Sequence, residues 1–375
     1  MNRLPYDEEL NIGYLSRLFD DTSNCYKFFW FQAVLNKLTK DKNRFTYDEL
    51  INEMIVDAWY MVTEYHLRLG PVGVTDNLEE VVKYIGQTMH FSASEKREVI
   101  IAHLENSDDR KLYAYKKELI KNVPYRLQSP FLDEVKVERR EWYRPEELLR
   151  KINQQRRLLY YYESFQQLST VICINKEWIP YLLRNKEILS GWMQINLIHY
   201  LQRRNPNVPG IADKLSAPKS RDIERVRKYW QLIIKHRPQL RDIYGHVELA
   251  DKTISVDHFV PWQYVAHDEL WNLHPTTKSI NSSKSNGLPD WDVYFKPLYE
   301  MEYISYSLSK ENPEIADAFA KIAQYHLNSD EIRRVLYCDG LSENDFGERL
   351  NNVIFPVYNA ALNSGFKQWI YEGAV

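Results

Sequence analysis

The sequence predicts an α+β chain that is predominantly α-helical, with a small strand-bearing unit in its C-terminal half. Three observations predict this. Most of the chain repeats its apolar residues at helical spacing. Only two stretches, residues 158–175 and the apolar run around Val256–Val260, have the β-branched and aromatic texture of strands. A chain of 375 residues with 44% hydrophobic content can hold two or three packing units.

Taken in order, residues 22–39 carry Phe28, Phe29, Phe31, Val34, Leu35 and Leu38, a helical pattern with a heavy aromatic load. The clearest helix is Thr46–Leu69. Thr46 and Glu49 have capping-box spacing, Phe45 and Leu50 can form a hydrophobic staple, and Gly70-Pro71 end it. Residues 77–85, 94–105 and 109–121 read as further helices, and Pro145-Glu146-Glu147 starts another. Leu158–Tyr162 and Leu168–Ile174 suggest a hairpin or two strands. Helices resume at Trp178–Asn185 and Ser190–Arg203, and Asn205–Gly210 is a loop by composition. A basic helix spans Arg221–Lys235, and 297–326 and 343–363 are helical again. The expected organisation is a helical lobe over 1–155, a mixed region over 156–242, the strand-bearing unit over 243–295, and helices over 296–375 that pack on it. The first lobe is expected to sense a trigger, bind a partner protein or form a homo-oligomer.

Several function classes drop out. No run of 18 apolar residues exists, so no membrane helix is expected. Met1–Glu9 is too acidic and polar for a signal peptide, and Cys25, Cys173 and Cys338 are isolated, which suits a reducing compartment. The expected location is the cytoplasm. No phosphate-binding Gly loop, dinucleotide fingerprint, nucleophile elbow or H-E-x-x-H is present, so there is no sign of an ATP motor or a methyltransferase. Asp133-Glu134-Val135-Lys136 has part of another nuclease pattern, but its acids are adjacent where that chemistry separates them.

The net charge of −3 hides an asymmetry. Residues 201–241 hold eleven Lys or Arg against three acids, and Arg221, Arg225 and Lys228 lie on the helix that leads into the strand unit. Such a patch attracts a polyanion through counterion release. A solvated helix face is the commoner meaning of a charge run. The 27 Tyr and ten Trp could stack bases, but core packing accounts for most of them.

The chemistry concentrates in Val256-Asp257-His258-Phe259-Val260-Pro261, followed by Asn272 and by Asn281-Ser282-Ser283-Lys284-Ser285-Asn286. Hydrolysing a phosphodiester needs an activated water and positive charge against the transition state. His258 titrates near neutral pH and suits the base. Asp257 and Asn281 offer a carboxylate and an amide oxygen, the donors that Mg²⁺ takes. On a regular strand His258 points away from Asp257, so the turn at Pro261 must re-aim the chain if metal and base are to meet.

These residues resemble the HNH endonuclease family over about 243–295, including the HNH domain of RNA-guided CRISPR effectors and bacterial stand-alone HNH proteins. The resemblance implies a ββα-metal finger with Asp257 and Asn281 as ligands of Mg²⁺ or Mn²⁺ and His258 as general base. It implies that Asn272 ties the connecting loop by bonds to backbone, and it places Lys284 where it could reach a phosphate. It implies nucleic acid as partner, with DNA the first expectation, and a setting in antiphage defence or restriction. Many relatives bind structural zinc through paired cysteines ahead of the first strand. Here that stretch reads Ile243-Tyr244-Gly245-His246-Val247-Glu248, so no structural zinc is expected and packing must brace the finger. His267 and His274 read as bystanders. The competing expectation is a non-catalytic or partner-gated nucleic-acid-binding protein.

Overall fold

The computed structural model describes residues 4–121, 123–132, 145–155, 158–216 and 223–373. The chain parts into two compact units, one of residues 1–206 with 214–217, the other of 207–213 with 218–375.

In the first unit, the helices Tyr26–Lys37, Tyr47–Thr63 and Asn77–Met89 pack in succession around Phe28, Trp30, Phe31, Leu50, Ile55 and Trp59. The Tyr47–Thr63 helix starts at the capping box: Thr46 Oγ1 accepts from Glu49 N (3.1 Å) and Glu49 Oε2 accepts from Thr46 N (2.8 Å). It stops six residues before the expected end. His66 takes a left-handed conformation (φ 53°), and Leu67 and Leu69 are buried from a turned-back chain. Their apolar spacing imitates a continuing helix.

Strands β1 (Arg44–Thr46), β2 (Tyr160–Tyr162) and β3 (Val171–Ile174) form an antiparallel sheet in the order β1-β3-β2, with Phe45 opposite Ile172 and Tyr161 opposite Cys173. This pairing places residues 158–204 with the first 155 rather than in a region of their own. Asp133–Lys136 lies outside the described residues.

In the second unit, β4 (Ile254–His258) pairs antiparallel with β5 (Leu273–Thr277), and the helix Lys278–Lys284 follows directly. Thr277 caps that helix, its hydroxyl accepting from Ile280 N (3.3 Å). The basic helix is Glu224–His236. It buries Val226, Tyr229, Trp230, Ile233 and Ile234, and Trp230 Nε1 donates to Leu273 O at 3.0 Å, fixing the helix to β5. Its other face leaves Arg225, Lys228 and Lys235 exposed. Arg221 lies outside the described residues.

The expected helix 297–326 is two helices, Trp291–Glu311 and Pro313–His326. Asn312 caps the second through Glu314 N and Ile315 N, with Pro313 in its first turn. Pro297, where the expected helix begins, sits inside the first helix at the cost of one backbone bond. The helix Glu343–Asn363 has its expected bounds. Strand β6 (Leu288–Pro289) then pairs in parallel with β7 (Gln368–Trp369), returning the C-terminal segment to the end of the Lys278–Lys284 helix. Gly287 permits that approach, because a Cβ there would stand 2.6 Å from the Trp369 Cβ and 2.9 Å from Lys284 O. Among the described residues no helix is long and apolar enough to cross a membrane.

Candidate active site

The site is built on the β4–β5 hairpin and the helix behind it. Asp257 and His258 are the last two residues of β4, and their side chains take different partners, as the alternation of a strand dictates. The chain leaves β4 through Phe259-Val260-Pro261 and returns through Leu270–Asn272. Asn272 closes this loop. Its Oδ1 accepts from Val260 N (2.8 Å), its Nδ2 donates to Val260 O (2.9 Å), and its backbone O accepts from Phe259 N (2.9 Å). The amide copies a peptide's donor and acceptor, so both groups of a buried residue are satisfied at one point.

Asp257 is 5% exposed and faces the helix. The Tyr244 hydroxyl donates to its Oδ2 at 2.8 Å, and Lys284 Nζ lies 3.2 Å from Oδ1 and 3.1 Å from Oδ2. The same ammonium donates to the backbone oxygen of His258 at 2.8 Å. Burial by itself would raise the Asp257 pKa, but the charge of Lys284 beside it, aided by the Tyr244 hydroxyl, holds the carboxyl below its ordinary value. Burial pulls the Lys284 ammonium down. Lys284 does not face solvent or a phosphate as the sequence suggests. Its position on the helix turns it inward, and in a dry pocket the Asp257 carboxylate is its partner.

Asn281 is anchored to the same strand. Its Nδ2 donates to Ser255 Oγ (2.7 Å) and Val256 O (3.3 Å), which leaves its Oδ1 outside every described bond. His258 is 5% exposed, and its Nε2 donates to Asp268 Oδ1 at 2.8 Å. Asp268 belongs to the connecting loop, and its backbone oxygen pairs with His326 Nδ1 at 2.7 Å. The structure therefore gathers Asp257, Lys284 and the His258 backbone at one point, anchors Asn281 to the adjoining strand residues, and turns the His258 side chain toward Asp268.

Three residues escape the sequence reading. Asp268 had one available signal, an acid ten positions after His258 inside the motif loop. His274 lies opposite Asp257 in the sheet register, with Nε2 3.8 Å from Asp257 Oδ2. It is wholly buried, neither ring nitrogen has a hydrogen-bond partner among the described residues, and burial pushes its pKa down to about 3, so the ring is neutral. Tyr244 stands in the stretch where zinc-binding relatives have cysteine. Asp242 holds its turn, accepting from Tyr244 N (2.8 Å) and Gly245 N (3.0 Å). The Tyr244 ring packs edge-on against Tyr294, Trp369 and His274 at 5.1–5.3 Å.

Residues 242–290 match the model of the HNH endonuclease family. This segment is an HNH domain. No curated protein and no solved structure matches the chain. The HNH match implies a nuclease in general and a nucleic-acid substrate. Among the described residues no group of three or more His, Cys, Asp or Glu side chains could hold a metal ion. A cleft at the end of the basic helix, lined by His236, Arg237, Arg241 and Glu300, contains none of residues 256–286. The candidate residues Asp257, His258, Asn272 and Asn281 lie at the hairpin and its following helix instead.

Proposed function

We propose that the C-terminal unit is a metal-dependent HNH endonuclease that hydrolyses phosphodiester bonds, with DNA the first substrate to test. The observation that supports it is the meeting of Asp257, His258, Asn272 and Asn281 around one hairpin and the helix that follows it. On this reading the three elements form a ββα-metal finger. Asp257 and Asn281 would hold Mg²⁺ or Mn²⁺. Both offer oxygen, which hard cations prefer, and the Asn281 oxygen is unspent because its nitrogen does the anchoring. Such an ion, when bound, supplies positive charge against the phosphate and its leaving oxygen.

His258 accepts the proton of the attacking water. Asp268 holds the ring through Nε2 and stabilises the imidazolium that forms. Asn272 keeps the loop beyond His258 in register. Arg225 and Lys228, exposed on the helix that buttresses β5, attract the nucleic-acid backbone. The first unit serves as sensor, partner-binding or oligomerisation region. A cytoplasmic role in antiphage defence or restriction is the setting that the resemblance implies.

One observation favours a gated form of this reading. Asp257 and His258 are each 5% exposed, and Asp257 is held in an ion pair. A phosphate reaches them only after side chains move.

The test is plasmid cleavage in Mg²⁺ or Mn²⁺ by the wild type and His258→Ala at matched concentration. Cleavage lost in the variant supports the base assignment. Cleavage that persists removes His258 from the mechanism. If neither protein cuts but both bind DNA, a gated or purely binding role takes the place of the constitutive nuclease.

A further inference from the structure

Lys284 ends a seven-residue helix whose neighbouring positions Ser282, Ser283 and Ser285 are exposed. Its own side chain is fully buried. The ammonium is surrounded by two carboxylate oxygens of Asp257, at 3.2 and 3.1 Å, and the backbone oxygen of His258 at 2.8 Å. Carboxylate and carbonyl oxygens are the donors that a hard divalent cation takes. An ammonium and a dication on one buried carboxylate repel each other strongly, because little water screens them.

We propose that Lys284 is the resident counter-cation of Asp257 and competes with the divalent ion for it, so that Lys284 sets the metal affinity of the site. The inference rests on the reading of Asp257 as a metal ligand. Lysine suits the role. It is a compact charge on a flexible four-carbon stem and can leave without moving the helix, whereas a planar guanidinium would demand a fixed fork of acceptors. Without metal it neutralises a carboxylate that would otherwise be buried and unpaired. Once displaced, it stands one helical turn from Asn281, where a substrate phosphate is its natural partner.

The experiment is a Mn²⁺ titration of the full-length protein, followed by the electron paramagnetic resonance signal of free Mn²⁺. The wild type is compared with Asp257→Asn, Lys284→Met and Lys284→Gln. The glutamine variant removes the charge but keeps a donor for Asp257. Both Lys284 variants are expected to bind Mn²⁺ roughly tenfold tighter or more, the direction that removing a like charge at this range dictates. Affinity equal to or weaker than wild type overturns the proposal. If the wild type and both Lys284 variants fail to bind Mn²⁺, or if binding survives in Asp257→Asn, the metal-ligand reading fails and the inference with it. Should both lysine variants fail to fold, the wild type decides. Lys284 is expected to resist amine-directed acetylation in EDTA and to react when Mn²⁺ is bound, read by mass spectrometry. Protection that is unchanged by Mn²⁺ overturns the proposal.

Discussion

Replacing Asn272 by Ala removes one side chain and two hydrogen bonds, those from Val260 N at 2.8 Å and to Val260 O at 2.9 Å. Asn272 and Val260 are both wholly buried. At that burial the variant leaves a backbone donor and a backbone acceptor unsatisfied. Each such group costs about 1–3 kcal/mol, which gives about 2–6 kcal/mol for the pair. Asn272→Asp is nearly isosteric and separates the two halves of that sum. It keeps an acceptor for Val260 N but sets a carboxylate oxygen against Val260 O, so it too should destabilise. The assay is urea denaturation, with hydrogen exchange at the Val260 amide reporting the second unit by itself. The expected result is a lower midpoint with an unchanged slope in both variants, with Val260 amide protection lost in Asn272→Ala and largely kept in Asn272→Asp. An Asn272→Ala variant within about 0.5 kcal/mol of wild type, the range of an ordinary surface change, would refute the loop-clamp reasoning.

Other outcomes follow from the same geometry. Asp268→Asn keeps a hydrogen-bonding group beside His258 but removes its charge. Cleavage kcat should fall on the order of tenfold or more with KM little changed, and an unaltered kcat would remove Asp268 from the mechanism. Arg225→Ala with Lys228→Ala should weaken binding of a DNA duplex across sequences and flatten the salt dependence by about one contact each, read by fluorescence anisotropy. An unchanged salt slope would mean that the basic face is only solvated. Glu302 is buried, its Oε1 has no partner among the described residues, and burial raises its pKa well above the ordinary value. The stability this protonated carboxyl contributes is complete below the unfolded pKa of about 4.3 and is lost as pH rises toward the folded value. Glu302→Gln should therefore gain thermal stability relative to wild type as pH rises from about 5 to 8. Parallel melting curves across that range would show that Glu302 is ionised in the fold.

Much of the site was legible because its signals are local. A strand ending in Asp257-His258 and a turn at Pro261 each declare themselves within a few residues. The capping box at Thr46 and the bounds of Glu343–Asn363 did so for the same reason. The errors also have local causes. Leu67 and Leu69 keep helical spacing after the helix has ended, and the expected start at residue 297 falls inside a helix that begins at Trp291.

What the sequence by itself determined is therefore the kind of chemistry and the short elements that carry it. The tertiary structure decided the partners. Lys284 turned from a prospective phosphate contact into the counter-ion of Asp257, and His274 from a bystander into its buried neighbour. Asp268 became the partner of His258, and Tyr244 found Trp369 more than a hundred residues away. Residues 158–174 joined the first unit because β3 pairs with β1 across a long separation. The physical reason is common to all of these. A buried polar or aromatic group must find a partner, and the partners on offer are set by which distant segments packing brings together.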